Sequence, residues 1–398
     1  MRVLFTTQPG IGMFHPLVPF ARALEAAGHE VTVACADCFR PDVEATGLVA
    51  LPAGIDWRND LMTQSFPDAP PPGPARMPWI NALWRYTTAR AMVPDLLAIA
   101  ERWRPDLFVR EGLEYGGYLT AELLSVPHAS AGAHWFPLLA PQLVPLDAAR
   151  GEFGLPPDPT GEQLYRYLNL APMPPRWIAP DEEAPPTTHF IRPPSPAAGE
   201  GLAWLADMPS GRPLVHVTLG TTEVTQTPGL YEAILAGLRD EPIDLVVAVV
   251  RHRDPAAFGP QPPHVRIERF VDHGALLPRC DVVVSHGGFS TIMGSLAAGV
   301  PLVVIPMQGD QPRNARRCVD LGVGRVVGPE ARESGAIRAA VRAVLADSAC
   351  RTNAQRLREE IAALPGTDHA VVLLEQLAVD QQPLLAAPPV SPSGPARG

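Results

Sequence analysis

Several large classes of function find little support in this sequence. Only five cysteines are spread over 398 residues, which cannot make a disulfide framework, so reduced thiols in the cytoplasm are expected. Cys35 and Cys38 form a C-x-x-C, yet they end an apolar strand that starts at Val31. A thioredoxin-type pair would open a helix. No apolar run approaches the ~20 residues of a membrane span. The opening MRVLFTTQPG reads as a strand and turn, not as a secretory leader. Basic runs are missing too, and a net charge of −10 argues against nucleic acid or anionic membrane as partners. No His, Cys, Asp and Glu set has metal-ligand spacing, and no G-x-S-x-G marks a nucleophile elbow. Metal-independent chemistry is the expectation.

What the chain does contain is the alternation of a doubly wound α/β protein. Its length suits two domains of roughly 150 to 200 residues. Val3 to Thr7, a helix from about His15 to Ala27 and Val31 to Cys35 make a first βαβ unit. A strand from Leu107 to Arg110 and a helix from about Gly116 to Leu124 continue it. Proline crowds Ala171 to Pro196, and we read a linker over about residues 171–212. The pattern restarts at Leu214. This predicts a first domain over 1–190, a second domain over 213–380 and a disordered tail over 381–398. Two Rossmann-like parallel-sheet halves would then face each other across a cleft. The irregular insertion from Gly54 to Pro78 is expected to be a binding loop, a lid or disordered.

The first strand and loop imitate a dinucleotide fingerprint through Gly10, Gly12 and Asp37. His15 stands where the third glycine is needed, and its side chain would obstruct the close helix and sheet packing. A nicotinamide enzyme is disfavoured on that ground. The same His15, at an expected helix start, would be kept neutral by the dipole and so suits a general base. Glu111, just after a strand of the same sheet, could orient it, although a turn cap explains His15 equally well.

The richest stretch is Asp281 to Asn314, DVVVSHGGFSTIMGSLAAGVPLVVIPMQGDQPRN. A buried strand runs into His286, Gly287 and Gly288, and a helix is expected to begin near Ser290. Free amides and the helix dipole there form a seat for a diphosphate, with Ser290 and Thr291 adding hydroxyls. Gln308, Asp310 and Gln311 follow the next strand, and carboxylate with amide is a pairing that holds sugar hydroxyls.

With TTQPGIGMFHPLVPFARALEAAGHEVTV, PDLFVREGLEYGG, HVTLGTTEV and ERFVDHGALLPRCDVVVSHGG, this stretch resembles family 1 nucleotide-sugar glycosyltransferases of the GT-B fold. The branch is the bacterial one that decorates antibiotics, macrolides among them. The resemblance implies that His15 deprotonates an acceptor hydroxyl, with Glu111 where relatives usually carry Asp, and Glu114 as a second candidate. It implies donor contacts from Gly12, Gly220, Thr221, Thr222, Phe270, Val271, His286, Gly288, Phe289, Ser290, Thr291, Asp310 and Gln311. Phe289 departs from the small residue that many relatives place beside the glycines. Acceptor contacts are expected from Phe66, Trp79, Trp84, His134 and Trp135, with Trp57 nearby, unless these aromatics are ordinary core.

The implied reaction is a single inverting displacement. It moves a sugar from a dTDP- or UDP-sugar to a hydroxyl of a natural product such as a polyketide. The nucleotide sugar is a co-substrate, and no cofactor is expected. A non-catalytic nucleotide-sugar-binding partner protein and a nucleotide-sugar epimerase of the same fold are the alternatives, and a homodimer is left open.

Overall fold

Short apolar runs, fully buried in the central strands, make this chain a pair of parallel sheets. The computed structural model describes residues 1–71, 75–132, 140–194, 202–208, 211–220, 227–249 and 253–386. The first sheet contains β1 (Arg2–Thr6), β2 (Glu30–Cys35), β3 (Val49–Pro52), β4 (Leu107–Glu111), β5 (His128–Ala131), β6 (Leu168–Ala171) and β7 (Thr188–Phe190), in the order β3-β2-β1-β4-β5-β6-β7. The second contains β8 (Leu214–Thr218), β9 (Asp244–Ala248), β10 (Val265–Glu268), β11 (Val282–Ser285), β12 (Leu302–Val304) and β13 (Gly324–Val326), in the order β10-β9-β8-β11-β12-β13. Neighbouring strands pair in parallel in both. In each sheet the order reverses beside the first strand, so loops at the carboxyl ends of β1, β4, β8 and β11 converge on the switch points where ligands of such folds bind. The expected doubly wound α/β halves are therefore present.

Four regions depart from the pattern read in the sequence. The proline-rich crossing segment is not plain linker, because β7 extends the first sheet and Trp177 is fully buried in the second domain's core. Arg317 fixes that segment by donating to the carbonyls of Arg176 (2.8 Å) and Trp177 (3.2 Å). The last helix, Thr367–Asp380, lays Ala370, Leu373, Leu374 and Leu377 into the first domain's core beside Val3, Phe5 and Leu24. Its apolar stripe thus returns across the chain, although the sequence order groups it with the second domain. Residues 381–386, expected in a disordered tail, are pinned by Leu384 N donating to Tyr167 O and Ala386 N donating to Pro186 O, both 2.9 Å. Residues 387–398 lie outside the described residues.

The Gly54 to Pro78 insertion forms a small core of its own among the described residues. Trp57, Met62 and Ile80 are buried there, with Phe66, Trp79 and Trp84 packed against them. Phe66 sits between Trp57 and Trp79, with ring centroids 5.6 Å apart in each pair.

Candidate active site

One cavity of about 1570 Å³ runs between the two domains, lined on one side by Gly12, His15 and Trp84 and on the other by Gly220, His286 and Asp310. The half expected to hold the donor is built on β11. Its last residue, Ser285, accepts a hydrogen bond from Gly287 N (3.1 Å), and Gly287 turns the chain with φ at +91°. That is left-handed backbone, which glycine adopts without strain. Gly288 then serves as the N-cap of helix Phe289–Ala297 with no side-chain cap. The first-turn amides are thus available to an anion. Ser290 and Thr291 stand in that turn and line the cavity with Gly288 and Phe289.

His286 is clasped between two glycines. A Cβ on Gly220 would lie 2.7 Å from His286 Nε2, and one on Gly288 would lie 2.5 Å away. Burial pushes the imidazole down to about 4, the nearby His273 adds to the shift, and a bond to the Thr218 backbone opposes it. The ring is therefore neutral at pH 7, and its one proton is directed to the Thr218 carbonyl, so the turn presents no buried cation.

The residues expected to hold the sugar are tied to the same turn. Asn314 Nδ2 donates to Gly287 O (2.9 Å) and to Asp310 Oδ2 (2.6 Å). Gln311 Oε1 accepts from the amides of Met307 (2.8 Å) and Gln308 (3.0 Å). Asp310 and Gln311 thereby stand at the start of helix Gln311–Asp320 in fixed register with His286. Asn314 closed the stretch singled out in the sequence, but no role was read for it; its signal is the one-turn spacing from Asp310. Phe270, 67% exposed, and Val271 line the same half.

The acceptor half corrects the expectation for His15. The helical run begins at Ile11, not near His15, because the amides of Met13 and Phe14 bond to Gly10 O at 3.0 and 2.9 Å. His15 lies one turn in, where Pro16 and Pro19 tighten the backbone into a 3₁₀ turn over His15–Leu17. It is exposed and lines the cavity. The dipole argument for its neutrality weakens accordingly, since the effect fades beyond the first turn.

Glu111 ends β4, wholly buried and outside the cavity lining. Glu114 does different work. Its carboxylate accepts from Thr6 Oγ1 and from the amides of Gly116 and Gly117, fixing the start of helix Gly116–Leu124. Burial raises its pKa while these bonds and Arg110 oppose the rise.

Of the expected acceptor aromatics, Trp84 lines the cavity beside Met62, Met77 and Ile80. Phe66 and Trp79 do not, because they fill the insertion's own core. His134, Trp135, Thr221 and Thr222 lie outside the described residues. Among the described residues no cluster of His, Cys, Asp and Glu could hold a metal ion, and no helix is long and apolar enough to cross a membrane. All five cysteines are free thiols. Sequence reasoning missed His273 and the Arg313–Glu182 pair, all three of which line the cavity.

The chain matches the "Erythromycin biosynthesis protein CIII-like" family over residues 22–135 for its N-terminal domain and 234–377 for its C-terminal domain. It is 30% identical to 4'-demethylrebeccamycin synthase of Lentzea aerocolonigenes, covering 94% of this chain and 99% of that protein. It is 31% identical to 10-deoxymethynolide desosaminyltransferase of Streptomyces venezuelae, over 96% of this chain and 98% of that one. The crystal structure of glycosyltransferase VinC in complex with DTDP superposes with a TM-score of 0.76 at 25% identity, covering 96% of this chain and all of VinC. With this GT-B architecture and relatedness along its whole length, the chain belongs to the erythromycin CIII-like family of natural-product glycosyltransferases.

Proposed function

We propose that this enzyme transfers a sugar from a thymidine diphosphate donor to a hydroxyl of a hydrophobic natural product, with inversion and without a metal. The observation that carries the reading is one shared cavity with His15 on one wall and the His286, Gly288 and Ser290 turn on the other. In the proposed step His15 takes the acceptor proton as the acceptor oxygen attacks the anomeric carbon. The bond from that carbon to the diphosphate breaks, and the leaving group takes the electron pair into the helix amides that follow His286. Glu111 is the carboxylate that would orient His15, because the Glu114 oxygens already hold Thr6 and two amides. Neutral groups can stabilise the leaving diphosphate because they are preorganised and partly desolvated.

Thymidine is favoured as the base by the DTDP bound to VinC. Natural-product acceptors are favoured by the named relatives, and flat or macrocyclic apolar ones fit the wall of Met62, Met77, Ile80 and Trp84. The test is release of nucleoside diphosphate in step with glycoside formation over a panel of such acceptors, in the presence of EDTA. Anomeric coupling constants of the product report the stereochemistry. Turnover abolished by EDTA, or a retained anomeric configuration, would sink the mechanism. Donor conversion without acceptor would favour an epimerase.

A further inference from the structure

Behind the diphosphate turn lie two further histidines that the mechanism above does not use. His216 projects from β8, fully buried, with its Nδ1 3.0 Å from the Val246 carbonyl of β9. A carbonyl only accepts, so Nδ1 carries the proton. Burial, reinforced by His273, drives the His216 ring down to about 3. It is therefore neutral, and its Nε2 is a bare lone pair. His273 Nε2 lies 3.2 Å from that atom, with the two rings at 78°. Two lone pairs do not hold each other at this distance, so His273 donates from Nε2.

The second ring is held the same way. His273 opens helix His273–Leu276 after Asp272, whose carboxylate caps the amides of Gly274 and Ala275. Burial lowers the His273 pKa, against the pull of Asp272. A neutral ring with its proton on Nε2 offers only a lone pair at Nδ1. His273 lines the cavity, and among the described residues its Nδ1 has no hydrogen-bond partner.

An acceptor is the wrong group for a diphosphate, whose oxygens also accept. It suits the nucleoside, which carries donors: the imide N–H of thymine or uracil, and the ribose hydroxyls. The position agrees, because His273 follows Phe270 and Val271 by two or three residues and is electrostatically coupled to His286. We propose that His273 is a nucleoside-recognising residue of the donor site, and that His216 fixes its tautomer so that Nδ1 presents a permanent acceptor to an N–H or O–H of the nucleoside. This rests on the donor-site reading given above. His216 is then a positioning residue, acting only through His273.

The test uses the full chain. Nitrogen-15 NMR of labelled histidine is expected to find His216 protonated at Nδ1 and His273 at Nε2, with the His273 Nδ1 signal moving when thymidine diphosphate is added. By calorimetry, His273→Phe is expected to weaken thymidine diphosphate about tenfold while leaving inorganic pyrophosphate unchanged. His273→Gln, whose carbonyl can accept, is expected to recover part of the loss. N3-methylthymidine diphosphate and 3′-deoxythymidine diphosphate separate the two sources. Whichever analogue lacks the recognised donor binds the wild type and His273→Phe alike. His216→Leu is expected to release the His273 tautomer and to weaken the nucleotide without affecting pyrophosphate. Unchanged nucleotide affinity in His273→Phe, or a proton found on His273 Nδ1, would overturn this proposal alone. Failure of the wild type to bind either thymidine or uridine diphosphate would overturn the donor reading along with it.

Discussion

Arg313 and Glu182 meet in a two-point ion pair at the edge of the cavity, with Arg313 Nε 2.6 Å from Glu182 Oε1 and the second guanidinium nitrogen on Oε2. Glu182 belongs to the crossing segment, and Arg313 to the helix that opens with Asp310 and Gln311. The side chains are only 19% and 14% exposed, so the pair is better shielded than a surface bridge. It ties the proposed sugar subsite to the segment joining the domains.

Glu182→Gln is therefore expected to cost about 2 kcal/mol of stability, read from urea midpoints, and to raise the donor KM more than it lowers kcat. The cost has a pH window. Burial raises the Glu182 pKa, but hydrogen bonding and attraction from Arg313 and the Ala179 amide outweigh it, and the net shift is downward. A depressed carboxylate contributes stability above its unfolded pKa, about 4.3, and loses it as pH falls through the lower folded value. The gap between wild type and variant should hold from pH 7 to about 5 and close below about 4.

His15→Ala is expected to lower kcat by roughly 10²- to 10⁴-fold, the usual range for a positioned general base, while leaving nucleotide affinity within about twofold. His15 faces the cavity from the domain opposite the donor turn, so its loss should not disturb the diphosphate seat. Single-turnover kinetics with calorimetry of thymidine diphosphate checks both halves. A variant with full turnover removes His15 from the role.

The sequence carried the parallel sheets because a buried strand is a short run of Val, Ile and Leu with punctuated ends, as in Val282 to Val284. It carried the donor turn because His286, two glycines and two hydroxyl residues are contiguous. It did not carry contacts that depend on long-range closure. Nothing local to Thr367–Asp380 says that its stripe will meet Val3 and Phe5 rather than the adjacent second sheet. Nothing in Trp57, Phe66 and Trp79 distinguishes a pocket wall from a small core, since both are apolar and aromatic. His216 and His273 are 57 positions apart and meet only because β8 pairs β9 and the loop after β10 folds over it. The expected helix start at His15 was misplaced for a local reason: Gly10 in extended conformation starts the helix one turn earlier than Pro16 suggests.

Acid should destabilise the protein through buried imidazoles as well as carboxylates. Burial, with His273 adding in each case, lowers His286 to about 4 and His216 to about 3. Unfolded, each would titrate near 6.5. Between about pH 6.5 and 4 the unfolded chain binds these protons and the folded chain does not, so stability rises with pH across that window. Each ring contributes a slope of about 1.4 kcal/mol per pH unit. Urea midpoints of His286→Gln should fall less steeply than those of the wild type from pH 6 to pH 4.5. Parallel slopes would show that His286 is already protonated in the folded state.

Gly288→Ala tests whether the orientation of His286, rather than its presence alone, makes the donor seat. Gly288 has φ of −62° and ψ of 136°, which alanine adopts freely, so the backbone is not strained by the change. The new methyl would lie 2.5 Å from His286 Nε2 and 2.8 Å from Cε1, closer than any stable contact. Gly220 also approaches this ring closely, since a Cβ built on it would lie 2.7 Å from the same Nε2. The ring must rotate or push the helix start outward, moving the imidazole or the amides by an ångström or so. Displacements of that size cost on the order of 10²-fold in well-positioned sites. Gly288→Ala is therefore expected to lower kcat/KM by about that factor and to weaken thymidine diphosphate, while the circular dichroism spectrum stays unchanged. Gly309→Ala, at a cavity-lining glycine whose Cβ would meet nothing within 4 Å but whose φ is +63°, is the contrasting case. Its cost should come from backbone strain and fall mainly on stability, so the pair of variants separates a crowded imidazole from a strained loop.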